Sequence, residues 1–121
     1  MPQQREKGIH LLAELFECEE NVFIKFKKNI LEKEVSSLNK KYNFRELGSY
    51  YHDFDSGGVT GIVALVESHV AIHTWPEDFF VTLDIFICNY KNDNTENAKL
   101  LFKNLVDLFK PHKIKTHILL R

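Results

Sequence analysis

The run Val59-Thr60-Gly61-Ile62-Val63-Ala64-Leu65-Val66 is almost wholly apolar. Its length suits a strand, and its lack of polar alternation predicts one covered on both faces or packed at a subunit interface. Downstream, residues 70–75 and 79–88 read as two more strands, joined through Pro76-Glu77-Asp78. Pro76 has no backbone N–H to donate, which fits a connection between strands. Upstream, the paired glycines of Asp55-Ser56-Gly57-Gly58 permit positive φ and mark a turn. That turn ends a strand over 43–54, which carries Phe44, Leu47, Tyr50, Tyr51 and Phe54.

Farther out the period changes. Between 21 and 40, Phe23, Phe26, Ile30, Leu31, Val35 and Leu38 recur at three- and four-residue steps among lysines and glutamates, as in one amphipathic helix. Residues 10–17 are short and apolar with polar interruptions, a first strand. Residues 92–95 offer helix N-caps, and Ala98, Leu101, Phe102, Leu105, Leu108 and Phe109 form a helical stripe that stops before Pro111. Residues 113–120 close the chain as a last strand. This order implies one α+β domain over 1–121, a two-layer sandwich with two helices on one face of a largely antiparallel sheet.

Composition narrows the function. The 121 residues carry a formal charge of −1, with 44% hydrophobic and 27% charged residues. That balance gives no electrostatic case for nucleic acid or an anionic membrane. No apolar run approaches the roughly 20 residues that span a bilayer. Residues 1–7 are polar and precede only a short apolar segment broken by Glu14 and Glu17, so no secretory signal and a cytoplasmic location are expected. Cys18 and Cys88 are then expected as free thiols.

Chemistry concentrates in Glu67-Ser68-His69 and His73-Thr74-Trp75-Pro76-Glu77, which place a hydroxyl nucleophile, two imidazoles and two carboxylates within eleven residues. His69 and His73 supply imidazole bases, and Cys88 adds a thiol able to give or accept a proton. A hairpin centred on Pro76 sets Ser68 roughly opposite Cys88. Alternation puts His73 on the other face, so a bend or break near Ser68 is required. No metal is expected, because no Cys-x-x-Cys or His-x-x-x-His pair is closed by further ligands. Gly57-Gly58-Val59-Thr60-Gly61 lacks a Walker lysine, and no Gly-x-Ser-x-Gly elbow is present.

These residues resemble the bacterial and archaeal S-adenosylmethionine decarboxylase proenzymes, which are self-processing pyruvoyl enzymes. The resemblance rests on Gly58-Val59-Thr60-Gly61, Glu67-Ser68-His69, Ile72-His73-Thr74-Trp75-Pro76-Glu77 and Asp84-Ile85-Phe86-Ile87-Cys88. His10-Leu11-Leu12-Ala13-Glu14, Cys18 and His52-Asp53-Phe54 add to it, so that it covers roughly 8–120. It implies cleavage into 1–67 and 68–121, with the Ser68 hydroxyl attacking the Glu67 carbonyl and Ser68 becoming a covalent pyruvoyl group. That ketone would hold the substrate amine as a Schiff base, with no pyridoxal phosphate and no metal. It further implies His73 as the processing base, Thr60 as the processing hydroxyl where the family usually has serine, and Cys88 as the proton donor. Phe54 would stack on adenine and Glu77 would bind the ribose hydroxyls. A homodimer with sites near its interface and a role in polyamine (spermidine) biosynthesis complete the expectation.

The chain departs from the family at Asp55 and Ser56, at Asp78-Phe79-Phe80-Val81 and at Asn89. Because a carboxylate would suit a cationic side chain, Asp55 or Asp78 makes arginine or ornithine the alternative substrate. An uncleaved, non-catalytic paralogue or small ligand-binding module is the non-enzymatic alternative.

Overall fold

The computed structural model describes residues 6–121; the stretch 1–5, included above in the non-secretory reading, lies outside the described residues. Strands β1 (Gly8–Phe16), β2 (Glu46–Asp53), β3 (Val59–Leu65), β4 (Ser68–Trp75), β5 (Phe80–Cys88) and β6 (Lys113–Leu120) form one antiparallel sheet in the order β2-β3-β4-β5-β1-β6. Helices α1 (Glu20–Lys25), α2 (Lys28–Lys41) and α3 (Thr95–Leu108) supply the second layer. The α+β sandwich and its antiparallel sheet are as the sequence implied. Among the described residues, no helix is long and apolar enough to cross a membrane.

Among the described residues there are three α-helices because the expected 21–40 helix is broken. Phe26 leaves the helical region at φ −92°, ψ 67°, and packs its buried ring against Phe109 at 5.6 Å. Restarting at Lys28, whose N–H donates to Asp53 Oδ1 at 2.8 Å, shifts the helical phase. Leu31 and Val35 therefore face the core, while Ile30 points to solvent at 43% exposure. No proline or glycine announces this break; tertiary packing of Phe26 makes it.

The strands alternate by strict parity. Ile9, Leu11, Ala13 and Leu15 of β1, Val70 and Ile72 of β4, and Val81, Leu83, Ile85 and Ile87 of β5 are buried beneath the helices. Each such Leu or Ile contributes roughly 1.5–3 kcal/mol by leaving water. Among the described residues, no helix lies over the other face of the sheet, yet it carries Leu12, Ile62, Ala71, Trp75, Phe80 and Phe86. An antiparallel sheet facing only water normally alternates to polar residues there. The apolar 59–66 run is thus covered on one face within the protomer, with Val63 buried and Ile62 42% exposed, which leaves packing at a subunit interface as the alternative for its other face.

The two glycines of the β2–β3 turn have different reasons. Gly57 alone takes a positive φ, 109°. Gly58 is needed for close approach, since a Cβ there would lie 2.5 Å from the Thr74 carbonyl oxygen. That approach also lets the Val59 N–H donate to the buried Thr74 hydroxyl at 2.9 Å, tying β3 to β4.

Candidate active site

Leu65 pairs with Ser68, so Val66 and Glu67 form the tight loop between β3 and β4. Glu67 takes φ 52°, the left-handed region that a side chain with Cβ disfavours. Strain of this kind, held by a two-residue connection, sits on the residue whose carbonyl the family resemblance marks for attack. Ser68 Oγ accepts the Cys88 backbone N–H at 2.9 Å. A donor aimed at the hydroxyl oxygen favours negative charge developing there. Cys88 Sγ in turn accepts the Tyr90 N–H at 3.4 Å. Glu67, Ser68 and Cys88 line a cleft of about 250 Å³ with Phe44, Arg45 and Asn94.

Asn89 stands where the family usually has glycine, and its side chain has a use. Its Oδ1 accepts the Asn94 N–H at 2.7 Å and its Nδ2 donates to Thr95 Oγ1 at 3.0 Å, while Asn94 Nδ2 donates to the Cys88 carbonyl at 2.9 Å. The substitution therefore braces the turn after Cys88 and leaves the thiol in the cleft. Both cysteines are free, and burial pushes the Cys18 thiol up to about 11, which leaves Cys88 as the accessible one.

The other expected residues gather at the opposite end of β4. Thr60 pairs with His73 across the β3–β4 ladder, and its Oγ1 lies 2.9 Å from His73 Nδ1. The Trp75 ring is 6.0 Å from the imidazole. Thr60, His73 and Trp75 line a second cleft of about 270 Å³ together with Phe54, Ser56 and Glu77. Asp55 and Asp78 are exposed and do not line it.

Two geometric expectations need correction. The register is His69 opposite Phe86, so Ser68 is offset from Cys88 and meets its backbone N–H instead of facing its side chain. That odd offset also puts His73 on the same open face as Cys88, while Ser68 stays on the helix-covered face, opposite His73, as alternation predicts. Both facing and separation along the strand keep Ser68 and His73 apart. Ser68 and His73 are five positions apart in one strand, about 16 Å at ~3.3 Å per residue. No side chain of His73 spans that within one chain.

Sequence reading missed a third group on the same face. His10 of β1 and His69 of β4 both sit opposite Phe86, one on each side of β5, and both reach Asp84. Their Nε2 atoms lie 2.6 and 3.1 Å from Asp84 Oδ1. Partial burial works against the charge of Asp84, but hydrogen bonds from His10 and then His69 outweigh it and hold the carboxyl below the usual aspartate range. The three ligand atoms lie within 4.8 Å of one another, a spacing that could suit a metal ion. However, the Arg121 guanidinium lies 3.2 Å from His10 Nδ1 and can only donate, which makes Nδ1 the acceptor and Nε2 the protonated nitrogen. With a proton on Nε2, His10 donates to Asp84 and has no lone pair there for a metal. The signal in the sequence was present only as isolated residues, since 10, 69 and 84 meet through strand register.

Comparison with known proteins identifies the family. The family model described as S-adenosylmethionine decarboxylase matches residues 9–121. An S-adenosylmethionine decarboxylase proenzyme from Archaeoglobus fulgidus is 38% identical over 112 residues, covering 93% of this chain and 95% of its own. Another from Sulfurihydrogenibium is 32% identical over 117 residues, covering 95% and 82%. The crystal structure of the adenosylmethionine decarboxylase from Aquifex aeolicus shares the fold with a TM-score of 0.84 at 24% identity, over 98% of this chain and 92% of that one. A chain matched along nearly its whole length, with a strained Glu67 beside a serine hydroxyl held at Cys88, belongs to the S-adenosylmethionine decarboxylase family.

Proposed function

We propose that this chain cleaves itself between Glu67 and Ser68 and then decarboxylates S-adenosylmethionine for polyamine (spermidine) biosynthesis. The observation that carries this reading is the left-handed Glu67 joined to a Ser68 hydroxyl already held by the Cys88 N–H. Ser68 Oγ attacks the Glu67 carbonyl carbon, the C–N bond breaks, and the freed amine takes up the hydroxyl proton, leaving an ester. His73 removes the α-proton of residue 68, and the Cβ–Oγ bond breaks with its electron pair leaving on the Glu67 carboxylate. Water then displaces ammonia from residue 68, which ends as a pyruvoyl group at the head of 68–121. Once formed, this ketone supplies the electron sink for loss of CO₂ from an α-amino acid. Cys88 lines the same cleft, and in this reading it returns a proton to the substrate's α-carbon.

His73 and Thr60 act on Ser68 of a second copy in this reading. A two-fold axis through the open face near Ala71 would exchange the two ends of β4, bringing one protomer's Thr60 and His73 to the end of the sheet that carries its partner's Ser68 and Cys88. The apolar side chains of the open face support such a homodimer, since sheet-on-sheet packing would bury them. Phe54 and Glu77 would then complete the substrate pocket from the partner's side, stacking on adenine and binding the ribose hydroxyls.

The position of Asp55 and Asp78 outside that cleft favours S-adenosylmethionine over arginine or ornithine, because neither acid is placed to meet a cationic side chain. Incubating the cleaved protein with each of the three substrates and measuring CO₂ should show release from S-adenosylmethionine. Release from arginine or ornithine alone would overturn the assignment. Thr60→Val, which removes the hydroxyl beside His73, should lengthen the self-cleavage half-time about 10- to 100-fold, whereas Thr60→Ser should stay near the parent. Intact mass followed over time reads both.

A further inference from the structure

Resting on the self-cleavage reading, we propose that Asp84, itself held by His10, is a positioning residue that fixes His69 and through it the bond that breaks. His69 is the residue immediately after Ser68, so its backbone nitrogen is joined to the residue that becomes the pyruvoyl group. Its imidazole is anchored at Asp84 Oδ1, 3.1 Å away. Asp84 is held from the other side by His10 at 2.6 Å, and His10 by Arg121 at 3.2 Å. Arg121 also lies over the Phe86 ring, 5.8 Å from its centroid, between the two histidines' strands. The chain of contacts thus runs from Arg121, just past β6, through β1 and β5 to β4 and ends one residue past the scissile bond.

A tether is needed at this point. Ser68 is the first residue of β4, its preceding residue is strained, and cleavage removes the β3–β4 loop that otherwise holds it. After cleavage, the new chain terminus would keep its place only through the β4 ladder and side chains close to the end. His69 is the first of these, and Asp84 is its partner. A group displaced by about 1 Å loses on the order of 100-fold in rate, so loss of this anchor is felt in both cleavage and turnover.

The proposal separates positioning from acid–base chemistry by the kind of replacement tolerated. His69→Gln keeps an amide N–H able to donate to Asp84, and His69→Leu keeps the bulk without a donor. The full chain and the variants Asp84→Ala, His69→Leu and His69→Gln are followed by intact mass during self-cleavage, and the cleaved fraction is assayed for kcat and KM. Asp84→Ala and His69→Leu should lengthen the cleavage half-time about tenfold or more and lower kcat with little change in KM. His69→Gln should cleave within about threefold of the parent. Parent-like cleavage and kcat in Asp84→Ala would overturn the proposal, as would a His69→Gln variant as slow as His69→Leu. Melting temperature and oligomeric state identify a variant that is slow because it misfolds, and in that case His69→Gln against His69→Leu decides. A parent chain that remains whole would overturn the cleavage reading and this proposal with it.

Discussion

Ser68→Ala leaves a single uncut chain of 121 residues, with no fragment beginning at residue 68 and no CO₂ released from S-adenosylmethionine. The effect is complete because one oxygen serves twice. Ser68 Oγ is the nucleophile that converts the Glu67 peptide bond to an ester, and the Cβ–Oγ bond is the one whose breakage creates the ketone. Alanine removes both roles while keeping the strand backbone, and the Cys88 N–H loses only one acceptor at a partly exposed end of the sheet. The variant should therefore fold, at a cost of about 1 kcal/mol for the lost hydrogen bond. Intact mass and denaturant unfolding check the two statements separately. Two fragments in this variant would place the scission elsewhere and end the pyruvoyl reading.

Co-expressing Ser68→Ala with His73→Ala restores cleavage, and only to the His73→Ala chain. Alone, each variant stays uncut: the first lacks the nucleophile, and the second lacks the base. In a mixed dimer, the Ser68 and Cys88 end of the His73→Ala protomer faces the intact Thr60 and His73 of its partner, so one complete site forms. Random pairing in a two-fold dimer puts about half of the His73→Ala chains into such sites. Mass spectrometry distinguishes the two chains by their substitutions and reads which one is cut. The expectation comes from the roughly 16 Å along β4 between Ser68 and His73, with the latter's ring committed to Thr60 at 2.9 Å. If neither chain is cut, His73 works within its own protomer, and the shared site is wrong.

Much of this was legible before any coordinates. The apolar β3 run, the proline connection after Trp75 and the helical stripe from Ala98 to Phe109 all followed from local periodicity and from residues that cannot extend a strand or helix. The break at Phe26 was not legible, because nothing in the local sequence opposes helix there; the ring leaves the helix to pack on Phe109, far along the chain. Gly58 was readable as a turn residue but for an incomplete reason, since its lack of a side chain serves an approach to the Thr74 carbonyl.

The site divides in the same way. Glu67, Ser68, His73 and Cys88 stood out because reactive side chains were dense and matched a family pattern. Their positions as two half-sites at opposite ends of one strand did not, because a pairing offset of one residue changes which side chains share a face. The His10, Asp84 and His69 network was hidden for the same reason, its members being 74 and 15 residues apart.

The amino-acid sequence by itself determined the element types, the family and the bond expected to break, since these depend on periodicity and on which chemical groups lie side by side along the chain. Only the tertiary structure decided that the serine and its expected base are too far apart to meet in one protomer, and that His69 is tethered. Both depend on strand register and length, which are set by the packing of distant segments and leave no local trace.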